Sequence, residues 1–213
     1  MSEPAPASPR ASLFRRTGRF ALVMVCALVP LLAAAVVQGL RDPAWWRPVP
    51  RGDAQAADRA AAFEQAIVGE FTRVRADAPE WSVRIREQDV NDWLGTRLPA
   101  WLESRGEPVG GAVQVRFDVE GLRVGVALPR GVAWIRVQPR AQAGGVHLGD
   151  PAGGIGRLRV PFAASTVDLA RFREALLKPI SLADGRVVQV LDIEPLEGEL
   201  RLRLRTEAAG SAR

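Results

Sequence analysis

The chain has 213 residues, of which 47% are hydrophobic and 25% are charged, and these globular values exclude a disordered or collagen-like protein. One cysteine, Cys26, and one histidine, His147, exclude a disulfide framework, a thiolate metal cluster and most zinc sites within a single chain, so neither a metal nor another cofactor is expected. Residues 41–213 carry 25 basic and 23 acidic groups, and this balance excludes nucleic-acid binding by charge.

The first predicted element is an apolar run at 20–40, which contains no charged residue in 21 positions. A helix of that length rises about 31 Å, close to the roughly 30 Å hydrocarbon core of a bilayer. The run therefore predicts a single transmembrane helix, with residues 1–19 as a disordered cytoplasmic tail. A cleaved signal peptide is the alternative interpretation, because Ala33, Ala34 and Ala35 form a small-residue cleavage site after a shorter apolar stretch.

Arginine and tryptophan flank this run unequally. Basic side chains are concentrated before it, and a tryptophan pair follows it where lipid headgroups would lie. The predicted membrane-interface residues are Arg15, Arg16, Arg19, Arg41, Trp45 and Trp46. The positive-inside rule then predicts a protein of the inner (cytoplasmic) membrane, with its N-terminus in the cytoplasm and residues 41–213 in the periplasm or another extracytoplasmic space.

Residues 41–52 are rich in proline and predict a stiff, extended spacer. Asp53 is a good N-cap residue, and we expect a helix from it to about Asp77. Apolar side chains recur along this segment at helical spacing and predict one buried stripe. They are Phe63, Ile67, Phe71 and Val74.

A strand and a second helix follow. Apolar and polar residues alternate over 81–86, which predicts a half-buried strand, and apolar residues recur at helical spacing over 87–104. Pro99 is expected to kink or divide this helix near Leu98. The helix carries Trp93 and Trp101, and we therefore expect it to be central to the core.

From Gly110 onward the apolar pattern has a period of two. A hairpin is predicted over 113–128, a further helix is expected after Ser165, and the other predicted strands are 132–139, 146–148, 155–160, 186–193 and 200–205. We therefore predict an α+β fold in which an N-terminal transmembrane helix precedes a curved antiparallel sheet of about seven strands, with about three helices packed on one face. The domain spans 53–207, and 208–213 is a disordered tail.

Few side chains point to chemistry. Glu87, Asp89 and Asp92 cluster, but they fall in the first turns of a predicted helix, where carboxylates stabilise the helix dipole. An arginine strip on one predicted strand face is interpreted as a solvated surface or, alternatively, as a contact with anionic headgroups. Its members are Arg201, Arg203 and Arg205, with Arg157 and Arg159 as further candidates.

Residues 85–94, with the sequence IREQDVNDWL, resemble a pattern in which a strand leads into an acidic residue, an asparagine, an aromatic residue and a leucine. The pattern is found in small exported bacterial proteins of the YpmS type and in lipoproteins of the tubular lipid-binding (TULIP-like) group. The resemblance extends loosely to 155–161 and 184–186. It implies a helix packed into a curved antiparallel sheet, no enzymatic activity and, as in some relatives, a lipid held between helix and sheet.

The leading hypothesis is a membrane-anchored, non-catalytic extracytoplasmic domain that binds a lipid or another apolar ligand in a groove between helix and sheet. The predicted lining residues are Trp81, Val90, Trp93, Leu94, Leu98, Trp101 and Trp134. One alternative is a scaffold with a solid core that recruits envelope proteins through a strand face or a sheet edge. Another is a hydrolase that uses carboxylates alone, such as Glu87 and Asp89.

Overall fold

The computed structural model of the chain describes residues 28, 30–75, 79–107, 110–149, 151–160, 176 and 178–207. This part of the chain has an α+β fold with three helices. Helix α1 spans 30–40, α2 spans Ala54–Thr72 and α3 spans Glu87–Ser104. The tails predicted at 1–19 and 208–213 and the helix predicted after Ser165 lie outside the described residues.

Within the described residues, eleven antiparallel strands form three sheets. The strands are β1 (Glu80–Arg86), β2 (Val113–Asp118), β3 (Gly121–Leu128), β4 (Gly131–Val137), β5 (Pro139–Gln142), β6 (Gly145–Leu148), β7 (Ala152–Ile155), β8 (Leu158–Val160), β9 (Ile180–Ser181), β10 (Val187–Leu196) and β11 (Glu199–Glu207). The first sheet has the order β1-β11-β10-β9, and the second sheet has the order β2-β3-β4-β7-β8. Strands β5 and β6 form a separate small sheet.

The prediction of one sheet with about seven strands is wrong, because the strands of the described residues belong to three sheets, two of the predicted strands are divided and β9 was not predicted. The predicted strand at 132–139 separates into β4 and β5, which pair in different sheets. The predicted strand at 155–160 is part of a hairpin, in which Gly156, with a φ of 56°, turns β7 back into β8. The apolar pattern does not reveal this turn, because Ile155 and Leu158 are paired and remain on the same face.

No helix in the described part of the chain is long and apolar enough to cross a membrane. The predicted transmembrane helix at 20–40, and the fold class that included it, are therefore corrected. Helix α1 occupies 30–40 and rises only about 16 Å, roughly half of a hydrocarbon core. Residues 20–27 lie outside the described residues, and the extracytoplasmic location of 41–213 stays a prediction.

Apolar side chains fill the space between the first and second sheets. Strand β2 contributes from the second sheet, and β10 and β11 contribute from the first. The buried cluster consists of Val115, Phe117, Val188, Val190, Ile193, Leu200 and Leu204. Val188 and Leu204 have no exposed surface. The interior between the sheets is therefore packed, and the pockets described below lie outside this buried cluster.

A carboxylate caps the start of helix α2, and alanines form its buried face. Asp53 caps it as predicted, since its carboxylate accepts the N–H of Ala56 at 3.0 Å. Ala56 and Ala60 are fully buried, and helix α3 packs against α2. The first three members of the predicted stripe are only half-buried, and Val74 lies beyond the helix and is 76% exposed. The closely packed face of α2 is therefore its alanine face.

Two arginines hold the carboxyl ends of α1 and α2. The backbone N–H of Arg157 donates to the carbonyl of Gln38 at 2.9 Å, and its Nε donates to the carbonyl of Asp42 at 3.1 Å. The guanidinium of Arg186 donates to the carbonyls of Thr72 and Arg73 at 2.9 and 3.0 Å. The last carbonyls of a helix lack partners within it, and these hydrogen bonds supply partners for Gln38 near the end of α1 and for Thr72 at the end of α2.

Asp184 positions Arg186 for this role. Its Oδ1 accepts the backbone N–H of Arg186 at 3.1 Å, and its Oδ2 accepts the guanidinium Nε at 2.7 Å. The hydrogen bond from the backbone N–H, followed by that from the guanidinium, lowers the pKa of Asp184. The motif at 184–186 therefore connects the turn before β10 to the end of α2.

Replacement of Asp184 by asparagine is expected to lower the urea midpoint slightly at pH 7. A carboxyl whose pKa is lower in the folded state stabilises the fold above its unfolded pKa of about 4. That contribution is lost as the pH falls through the folded pKa, so the difference between the parent and Asp184→Asn should be smaller at pH 3 than at pH 7. Urea titrations at the two pH values check this, and a difference that is independent of pH would contradict it.

Candidate functional site

The motif at the start of α3 joins helix and sheet through its asparagine. Asn91 is buried, and its side chain pairs with the backbone of Val115 on β2. Its Nδ2 donates to the carbonyl of Val115 at 3.0 Å, and its Oδ1 accepts the N–H of Val115 at 2.8 Å. Because β2 is an outer strand of the second sheet, Asn91 takes the place of a neighbouring strand at this position.

Glu87 lies one turn earlier on α3 and extends this contact. Its carboxylate accepts the N–H of Phe117 at 2.7 Å and lies 3.4 Å from the guanidinium of Arg116. The backbone N–H of Glu87 donates to the carbonyl of Gly198 at 2.9 Å, and Gly198 donates to the carbonyl of Phe117 at 3.1 Å. Glu87 therefore connects the second sheet to the turn between β10 and β11 of the first.

Asp92 joins α3 to α2. Its side chain is 2% exposed and accepts two hydrogen bonds from Arg59, at 2.6 Å from Nε and 3.2 Å from Nη2. The hydrogen bond to Asp92 raises the pKa of Arg59. A two-point ion pair of this kind has a defined geometry, and it fixes the angle between the two helices.

The acidic and imidazole groups considered for chemistry are therefore held in different environments. Glu87 and Asp92 bind the groups described above, whereas Asp89 lies at the depression between α2 and β1. His147 lies on β6 opposite Arg140 and is half-buried. In the described ranges, no group of three or more His, Cys, Asp or Glu side chains could hold a metal ion.

The candidate binding site is an apolar pocket of about 230 Å³ beside the carboxyl-terminal half of α3, called here the α3 pocket. One helix ridge and the ends of β2 and β3 form most of its wall. The apolar side chains that line it are Val49, Leu94, Leu98, Pro99, Leu102, Ala112, Val113 and Val126. A pocket of this size and chemistry has the capacity for an aromatic ring or a short alkyl chain.

The segment before α2 closes one side of the α3 pocket. Val49 lies so close to Gly95 that a β-carbon on this glycine would be 2.8 Å from the Cβ of Val49. Arg51 spans the opening, and its Nη2 donates to the carbonyl of Gly110 at 3.2 Å. Of the described lining residues, Arg51 alone carries a charge. The pocket therefore combines an apolar interior with one cation at its mouth.

The structure brings only part of the predicted ligand lining to this pocket. Leu94 and Leu98 line it. Val90 packs against the core, Trp93 is half-buried on α3, and Trp101 is 44% exposed. The heavy aromatic side chains of α3 therefore contribute less to the pocket than its leucines.

The other two predicted tryptophans lie on separate surfaces. Trp81 packs edge to face against Phe71, with ring centroids 5.4 Å apart, and its Nε1 donates to Thr206. Trp134 lies on the face of the second sheet opposite to the core, where a β-carbon on Gly154 would be 2.7 Å from its ring. Its partners are therefore backbone and glycine, and neither tryptophan is among the α3 pocket residues.

The segment after α1 covers that same outer face of the second sheet. A β-carbon on Gly125 would lie 2.7 Å from ring atoms of both Trp45 and Trp46. Gln114 accepts the backbone N–H of Arg47 at 2.6 Å and donates to the carbonyl of Trp45 at 3.2 Å. The tryptophan pair predicted at a membrane interface therefore contacts the sheet. Of the other predicted interface residues, Arg41 is exposed, and Arg15, Arg16 and Arg19 lie outside the described residues.

The predicted arginine strip lies on the outer face of the first sheet among carboxylates. Arg201 pairs with Glu199 at 2.8 Å. Arg205 hydrogen-bonds to Glu80 and thereby lowers the pKa of that carboxyl, and Arg203 lies between the two pairs. These ion pairs favour the interpretation of the strip as a solvated face.

Several residues of the α3 pocket were not predicted from the sequence. Leu102 follows Leu98 at a spacing of four, and this helical spacing could have placed it in the lining. Val113 and Val126 are paired in the predicted β2–β3 hairpin, but no local pattern indicates that this pair meets α3 and Val49.

No family model matches the chain, and no curated protein or solved structure matches it either. The assignment of lipid binding and of a TULIP-like character, which came from the resemblance at 85–94, is therefore without support from any related protein.

Proposed function

We propose that this chain is a non-catalytic binding domain whose α3 pocket holds the apolar part of a small organic anion. The observation that carries the proposal is the composition of the pocket wall: aliphatic side chains surround about 230 Å³, and Arg51 lies at the opening. Burial of alkyl groups supplies the affinity, and the cation at the mouth favours a ligand with a negative end.

A binding role also agrees with the state of the nearby carboxylates. Glu87 accepts a backbone N–H, and Asp92 is paired with Arg59 inside the α2–α3 contact. Neither lines the α3 pocket. A general acid or base must reach the substrate within hydrogen-bond distance, and the described lining of this pocket offers none.

Octanoate is the probe for this proposal. We expect it to bind the full-length chain in isothermal titration calorimetry. We expect butanoate, which is four methylenes shorter, to bind roughly two hundredfold more weakly, because each buried methylene contributes about 0.8 kcal/mol. Leu98→Phe should abolish binding by filling the pocket. Arg97→Gln changes an exposed residue of the same helix outside the lining and is the matched control, with unchanged affinity expected.

A neutral ligand of similar length distinguishes the contribution of the Arg51 charge from that of the apolar wall. Arg51→Gln should weaken octanoate by roughly two- to fivefold, the effect of an exposed charge pair, and leave octanol unchanged. An affinity that does not depend on chain length, or a Leu98→Phe variant that binds as the parent does, would refute the proposed site.

A further inference from the structure

Strand β1 is an outer strand of the first sheet, and one side of its backbone is available. The carbonyl of Pro79 accepts the N–H of Thr206 at 2.8 Å, and the N–H of Glu87 donates to Gly198 at 2.9 Å. The odd-numbered positions between them therefore bond to β11. The N–H and C=O groups of Ser82 and Arg84 point away from the sheet, and no backbone group of the described residues pairs with them.

A groove follows this free edge. It lies between β1 and α2, has a volume of about 540 Å³, and is called here the β1 groove. Phe63 and Ile67 of α2 and Val83 of β1 form its apolar wall. An extended chain beside β1 would place alternate side chains toward these residues, because successive side chains of a strand point to opposite faces.

The opposite face of the edge carries excess positive charge. Arg84 is 71% exposed and lies directly opposite Arg201 on β11, and like charges at such positions repel. The carboxylate nearest to Arg84, that of Glu199, is 3.9 Å away and is bound by Arg201 at 2.8 Å. Arg86 is a further exposed arginine on the same face. A neighbouring strand with acidic side chains on this face would relieve the repulsion.

We propose that the β1 groove binds an extended peptide that adds to β1 as a further strand, with acidic residues beside Arg84 and Arg86 and apolar residues toward Phe63 and Ile67. Main-chain hydrogen bonds to Ser82 and Arg84 supply the affinity, and the alternation of acidic and apolar side chains supplies the specificity. The β1 groove shares no lining residue with the α3 pocket, so the two proposals stand or fall independently.

The test uses two fluorescein-labelled synthetic peptides and fluorescence anisotropy with the full-length chain. In one peptide valine alternates with glutamate, and in the other valine alternates with lysine. We expect the glutamate peptide to bind roughly tenfold or more tightly than the lysine peptide. Arg84→Glu should reverse this order. It also places a carboxylate opposite Arg201, so the fold is expected to be retained.

The backbone contact is tested separately from the charge. Ser82→Pro removes an outward N–H without disturbing the bonds to β11, and we expect at least about a tenfold loss of affinity, whereas Ser82→Ala should bind as the parent does. If Ser82→Pro does not fold, a glutamate peptide that is N-methylated at every residue applies the same test from the peptide side and should not bind, whichever direction the peptide runs along β1. Equal binding of the two peptides or binding that survives N-methylation would overturn the proposal. So would a dimer of the chain in which a second copy pairs with β1 and excludes the peptide.

Discussion

Replacement of Asn91 by leucine is expected to lower the free energy of unfolding by about 3 kcal/mol, because it leaves two backbone groups of Val115 buried without partners. Leucine has a similar volume, so the loss does not come from a cavity. The N–H and the carbonyl of Val115 face α3 rather than β3, and water is excluded from the contact because both residues are buried. Each unsatisfied group costs about 1–3 kcal/mol.

Urea unfolding followed by tryptophan fluorescence measures this loss for Asn91→Leu. Gln88→Leu is the matched control, since Gln88 lies on the exposed side of the same helical turn, and a change within about 0.5 kcal/mol is expected. Asn91→Asp should also destabilise, because a carboxylate has no N–H to donate to the carbonyl of Val115. A loss below about 1 kcal/mol for Asn91→Leu would contradict the prediction, since it would mean that the backbone groups of Val115 find other partners when Asn91 is absent.

Truncation of Leu204 to alanine is expected to cost about 3 kcal/mol or more, since Leu204 is fully buried between the two large sheets and the packed side chains around it cannot collapse completely. The same truncation at Leu98 is expected to cost about 1 kcal/mol, because Leu98 is half-buried and already borders a void.

The difference between the two losses in unfolding free energy distinguishes the packed space around Leu204 from the α3 pocket, which Leu98 lines. Chemical denaturation of Leu204→Ala and Leu98→Ala, with the m-values compared, is the measurement. Similar losses for the two variants would indicate that the space between the sheets is not filled as described, and that a ligand could enter it.

Local patterns predicted α3, the start of α2 and the β2–β3 hairpin better than they predicted the long helix at 20–40 or the division into sheets. The helical spacing at 87–104 and the cap at Asp53 gave α3 and the start of α2, because both depend on residues close in sequence. The same is true of the β2–β3 hairpin. The division into sheets depends on which strands pair, and the alternating pattern of β4 and β5 contains no information about their different partners.

The candidate site shows the same limit. The predicted lining was rich in tryptophan, but of its members only Leu94 and Leu98 line the α3 pocket. Trp134 instead packs over Gly154 on the outer face of the second sheet, and a glycine gives no apolar signal in the sequence. Asn91 and Glu87 belong to the motif that carries the resemblance at 85–94. Their hydrogen bonds to the backbone of β2 are seen only in the structure, because β2 is distant from them in sequence.

The hydrogen bonds from Arg157 to the carbonyls of Gln38 and Asp42 attach the end of α1 to the second sheet. The segment that follows α1 contacts the second sheet again at Gln114 and Gly125. It then supplies Val49 and Arg51 to the wall of the α3 pocket. One continuous segment therefore connects the end of α1 to the wall of the α3 pocket, and it contacts the second sheet on the way.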